Sequence, residues 1–110
     1  MNWIALNDLQ QLAGIKEKSY QQPQVIFKHS TRCSISSMAK SRLERSATPE
    51  DISFHYLDLI NNRNISKTIA EDFDVAHESP QILVIKNGKC IYDESHGGIS
   101  MDEIVEQANQ

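Results

Sequence analysis

Val25-Ile26-Phe27 is apolar at three successive positions. Side chains along a strand alternate between faces, so such a run suits a strand whose sheet is covered on both sides. It predicts a strand over residues 24–28 whose apolar run, Val25 to Phe27, is buried on both faces. Polar residues follow, and a helical pattern then opens at Met38-Ala39-Lys40-Ser41-Arg42-Leu43 and continues to about Arg45. Ile35, Met38, Ala39, Arg42 and Leu43 recur at spacings of three and four, the mark of a helix face.

Cys33 falls where that strand ends and that helix begins. The first amides of a helix have no partner inside it, and the aligned peptide dipoles favour negative charge there. Cysteines so placed titrate well below the free value of about 8.5, toward roughly 3.5–7.5. Arg32 can add cationic stabilisation. Ser36 completes a Cys-x-x-Ser pattern. In Cys-x-x-Cys the second thiol resolves the mixed disulfide by attacking the first. A serine cannot resolve it, but can donate a hydrogen bond to the thiolate from the same helical turn. The expected chemistry is a one-cysteine exchange: Cys33 takes a thiol-bound group and an outside thiol removes it.

The chain has 110 residues, enough for one domain over 1–110. With 39% apolar and 24% charged residues it is expected to fold as a soluble globule. A net charge of −4 without a run of one sign argues against nucleic acid as a partner. The apolar run Ile82-Leu83-Val84-Ile85 is too short to span a bilayer. The first residues show no basic segment leading into an apolar one, so a cytoplasmic location with reduced thiols is expected.

Trp3-Ile4-Ala5 reads as a short edge strand, and residues 8–18 as a helix capped by Asn7 with Gln10 as its capping-box partner. After the Cys33 helix, residues 54–59 read as a strand with His55 exposed or hydrogen-bonded. Ile65, Ile69 and Phe73 mark a helix ending near Asp74. Pro80 belongs at or just before the start of a strand over residues 81–86, because it lacks a ladder donor. Asn87-Gly88 is a strong hairpin signal, with residues 89–95 as the antiparallel partner. His96-Gly97-Gly98-Ile99 is a loop, and Ser100 with Glu103 forms a capping box for a last helix. The order β-α-β-α-β-α-β-β-α needs parallel crossovers first and a hairpin last, hence a mixed central sheet with helices on both faces.

Order and motifs together resemble the thioredoxin-like fold and, within it, the monothiol bacilliredoxin family (YtxJ-like, BrxC type). The resemblance covers nearly the whole chain. It is carried by Phe27-Lys28-His29-Ser30-Thr31-Arg32-Cys33-Ser34-Ile35-Ser36, by Tyr56-Leu57-Asp58-Leu59, by Val75-Ala76-His77-Glu78-Ser79-Pro80-Gln81, and by Lys86-Asn87-Gly88-Lys89-Cys90 with Ser95-His96. Ser34 stands where the family pattern has proline, which loosens the first helical turn because proline is pre-organised there.

The resemblance implies a cytosolic redox enzyme without a resident cofactor. A small thiol such as bacillithiol caps an oxidised client cysteine, Cys33 takes the cap, and further small thiol restores the enzyme. It also implies a cis Pro80 with Ser79 and Pro80 facing Cys33, and pairing of the segment before Pro80 with an extended client backbone. Thr31, Arg32 and His96 are candidate contacts for the bound thiol, and His29 a satisfied polar group beneath the active loop. The basic side of the Cys33 helix, Lys40, Arg42 and Arg45, is either a solvated face or a surface for acidic small thiols.

Strand geometry puts Cys90 at the far end of the sheet from Cys33, so no disulfide is expected and Cys90 is structural. No metal is expected, since neither Cys-x-x-Cys nor His-x-x-x-His occurs; a cluster shared between two chains through Cys33 is the one form left open. Two other readings remain at this stage: a glutaredoxin-like protein that uses glutathione, and a non-catalytic module that holds client peptides beside Pro80.

Overall fold

The computed structural model describes residues 1–110. Its elements are β1 (Trp3–Ala5), α1 (Gln10–Lys18), β2 (Gln24–His29), α2 (Ser34–Arg45), β3 (Ser53–Asp58), α3 (Arg63–Asp72), β4 (Gln81–Lys86), β5 (Lys89–Ser95) and α4 (Met101–Ala108). A short 3₁₀ turn, His96–Gly98, precedes α4. The order is the one expected. The five strands lie in the sequence β1-β3-β2-β4-β5. β1 and β2 run parallel to β3, whereas β4 runs antiparallel to both β2 and β5. Parallel neighbours need crossovers, supplied by α1 and α2; antiparallel β4 and β5 need only the Asn87-Gly88 turn.

Central position explains the apolar run. All six residues of β2 are buried. Val25 and Phe27 pack with Ala39 and Leu43 of α2 and Ile104 and Ala108 of α4. Ile26 packs on the other face with Leu12 and Ile15 of α1 and Ile65 and Ile69 of α3. Asn87 and Gly88 both have positive φ, 54° and 78°, as this tight hairpin requires. The turn docks on the end of α1, where the Gly88 amide donates to Ser19 Oγ at 2.8 Å. A Cβ at Gly88 would lie 2.6 Å from Tyr20 Oη, so glycine is demanded twice over.

Two helix starts differ in outcome. Ser100 caps α4 as expected, accepting from the Glu103 amide at 3.3 Å. The Asn7–Gln10 box does not form, and α1 begins later, at Gln10. Asp8 Oδ1 accepts from the Gln10 amide, and Gln11 Oε1 accepts from the amides of both Asn7 and Asp8. One glutamine side chain thus satisfies two donors, which leaves Asn7 outside the helix.

His55 is buried, with Nε2 2.8 Å from Gln24 Oε1 and Nδ1 without a partner. Burial, then the Lys18 charge, lowers its pKa from 6.5 to about 4. The unfolded chain therefore takes up this proton first, and stability is lost as pH falls from about 6.5 to about 4. Urea denaturation across that range should show a loss of roughly 2–3 kcal/mol that is smaller in His55→Leu. An equal loss in the variant would refute the assignment.

Candidate active site

The β2–α2 junction is built by three local facts. β2 ends at His29, residues 30–32 turn in the open, and Cys33 is the N-cap of α2 with extended backbone, φ −110° and ψ 121°. The Cys33 amide donates to Ser30 O at 3.2 Å, and the Cys33 carbonyl accepts the first helical bond, from Ser37 N at 3.1 Å. The amides of Ser34, Ile35 and Ser36 are left without helical acceptors. Cys33 is half-buried, and its side chain makes no capping bond in the thiol state. An anionic sulfur at an N-cap is a much better acceptor for those amides than a thiol.

The buried stripe of α2 differs from the expected one. Ser36, Ala39 and Leu43 face the core. Ile35 and Met38 are 51% and 61% exposed, forming an apolar surface beside the thiol. The stripe is rotated by one residue because Ser36 has polar partners beneath it. Its hydroxyl lies 2.6 Å from His29 Nδ1 and accepts from the Ser30 amide at 3.0 Å. The expected Ser36 bond to the Cys33 sulfur is not among its contacts; His29 holds that hydroxyl instead. His29 is buried, stacked on Phe27 and tilted against Tyr56. Burial first, and the Lys40 ammonium second, hold its pKa below the ordinary 6.5.

The remaining candidates come from the other side of the sheet end. Register pairs Lys28 with Gln81, so the end of β2 and the start of β4 share one end of the sheet. The Ser79–Pro80 peptide there is cis. Ser79 Oγ is enclosed and without a partner. The His96 amide donates to Pro80 O at 3.0 Å, and the His96 turn packs on α2. The His96 ring, half exposed, lies 3.5 Å from Glu78 and pairs with it when protonated. Thr31 and Arg32 are exposed. Of the basic side of α2, Lys40 is bound to Glu44 at 2.8 Å and Arg42 donates to Ile99 O at 3.0 Å, while Arg45 is exposed.

Cys90 pairs with Ile85 at the opposite end of the β4–β5 ladder, and both cysteines are free thiols. Burial raises the Cys90 thiol to about 11, which makes it a poor nucleophile at neutral pH. Cys90→Ala should leave thiol exchange within about twofold of the unaltered protein; a larger loss would place Cys90 in the reaction. No group of three or more His, Cys, Asp or Glu side chains is arranged to hold a metal ion. No helix is long and apolar enough to cross a membrane.

Sequence reasoning missed Lys28. It is fully buried, with Nζ 3.4 Å from His77 Nδ1, which also contacts Ser66 Oγ at 3.2 Å. Its place at the end of an apolar run was the only signal, and ordinary expectation puts lysine at the surface.

Solved structures share this architecture. A candidate oxidoreductase with a thioredoxin fold aligns at 29% identity over 97% of this chain and 93% of its own, with a TM-score of 0.83. Thioredoxin of Malassezia sympodialis aligns at 18% identity over 97% and 91%, TM-score 0.79. Thioredoxin of Trypanosoma brucei brucei aligns at 14% identity over 98% and 88%, TM-score 0.77. The fold is thus that of thioredoxin, with one cysteine at the helix start. Residues 4–104 match the family model of the monothiol bacilliredoxin BrxC, and the chain belongs to that family. Family and fold together make it a thiol-disulfide oxidoreductase.

Proposed function

We propose that the protein removes a low-molecular-weight thiol of the bacillithiol type from mixed disulfides on oxidised client proteins in the cytoplasm. The Cys33 thiolate attacks the small-thiol sulfur of the mixed disulfide. The client sulfur leaves as a thiolate and takes a proton from water, and the cap remains on Cys33. A second small thiol, as its thiolate, attacks the cap sulfur, releasing a small-molecule disulfide and the Cys33 thiolate. Electrons balance within the exchange, and no resident cofactor or metal is needed.

The observation that carries this reading is the half-buried Cys33 N-cap with free amides after it and no second thiol at that end of the sheet. Ile35 and Met38 offer apolar contact to a client, the segment ending at Ser79 and Pro80 offers backbone, and Thr31, Arg32 and His96 surround the bound cap. The test is intact-mass analysis after mixing the reduced protein with a model protein capped by bacillithiol or by glutathione. Transfer of the bacillithiol mass to Cys33, faster than that of glutathione, is expected. No added mass from either donor would overturn the proposal.

A further inference from the structure

Ser36 has one proton to give, and His29 decides where it goes. The serine oxygen already accepts the Ser30 amide at 3.0 Å and lies 2.6 Å from His29 Nδ1. A neutral imidazole with its proton on Nε2 can only accept at Nδ1, so the serine O–H is spent on it. An imidazole protonated at Nδ1 donates instead, and the serine O–H is then free. Ser36 is the third helical residue after the N-cap Cys33, a position whose main chain the N-cap side chain reaches across the first turn. A hydroxyl freed there lies within one helical turn of the Cys33 N-cap, whose sulfur is one acceptor it can turn to.

We infer that His29 is a positioning residue for the exchange reaction: with its proton on Nε2 and Nδ1 bare it withholds the Ser36 proton from the Cys33 sulfur, and when protonated at Nδ1 it releases that proton toward the sulfur. The inference rests on Cys33 being the nucleophile. Lys40 and Glu44 of α2 and Asp58 and Tyr56 of β3 face His29, with Lys40 opposing its protonation and both carboxylates favouring it. Burial adds to the opposition, so above about pH 6.5 the neutral ring dominates, and it withholds the proton when its own hydrogen is on Nε2. The Cys-x-x-Ser serine is then a reserve that protonation or loss of His29 brings into play.

The test uses the Cys90→Ala protein, so that Cys33 is the only thiol, and follows its alkylation by iodoacetamide from pH 5 to 9. Ser36→Ala is expected to change the rate less than twofold at pH 8. His29→Phe keeps an aromatic ring against Phe27 and Tyr56 and removes the acceptor. It is expected to raise the rate three- to tenfold near pH 7, and the gain should vanish in the double variant. A gain of equal size in the Ser36→Ala background would overturn the inference, as would a tenfold loss from Ser36→Ala alone. Nitrogen NMR of the unsubstituted His29 ring needs no variant: at pH 8 a bare Nδ1 is expected, and a protonated Nδ1 would overturn the inference. Neither readout depends on small-thiol transfer, so failure here is distinct from failure of the proposed function.

Discussion

Cys33→Ser abolishes transfer of the thiol cap, reducing it to the uncatalysed background, while the fold survives. A serine hydroxyl at the same N-cap is almost wholly protonated at neutral pH, and there is no base beside it to change that. Oxygen in place of sulfur also leaves no disulfide for the cap to form. The site is half-buried and outside both core clusters, so stability should move by no more than about 0.5 kcal/mol. Serine is also a favoured N-cap, which pushes the small change toward stabilisation. Two measurements check this: the mass of the protein after incubation with a capped donor, and its thermal midpoint. Residual transfer above a tenth of the unaltered rate would mean that Cys90 or a different group carries the exchange.

Lys28→Met should stabilise the protein at pH 7 by roughly 1–3 kcal/mol, although it deletes a hydrogen bond. Lys28 is completely buried and has no carboxylate within ion-pair distance; its ammonium meets only His77 Nδ1, at 3.4 Å. Burial lowers its pKa from 10.5 to about 8, with the Asp93 carboxylate partly opposing the shift. That gap corresponds to a cost of about 3 kcal/mol for keeping the charge inside. Methionine has nearly the length of the lysine stem without the charge, and fills irregular space readily. The sign of the pH dependence follows. Between about 8 and 10.5 the unfolded chain keeps the lysine proton that the folded chain has lost, so stability rises with pH from about 8. Cys90 acts in the opposite sense from 9 upward, because the folded chain retains a thiol proton that the unfolded chain gives up. The clean window is therefore pH 8–9. Denaturation there should show a rising stability that is absent in Lys28→Met. A variant less stable than the parent by over about 1 kcal/mol would show that the ammonium is held by more than His77.

The polar groups of β2 are where sequence and structure parted. Alternation rules placed Val25, Ile26 and Phe27 inside, and they are. The same rules say nothing of Gln24 and Lys28, whose types favour the surface, yet both are buried because β2 is the middle strand of five; His29 is buried too, the satisfied polar group beneath the active loop that the sequence suggested. Each is tolerated through a partner: Gln24 through His55 and Lys28 through His77, both far along the chain, and His29 through Ser36 across the turn into α2. Ile35 and Met38 show the reverse. Their spacing fitted a core face, but the helix turns Ser36 inward to meet His29, and the apolar pair is left beside the thiol.

Element order, the strand-to-helix placement of Cys33, the hairpin at Asn87-Gly88 and the cap at Ser100 all follow from neighbours in the chain, since turn chemistry, capping and periodicity act over only a few residues. Strand order, the burial of Lys28 and the direction of the Ser36 hydroxyl required the folded molecule. They depend on which distant groups meet once water is excluded, and there an unpaired donor or charge costs enough to decide how a helix is turned.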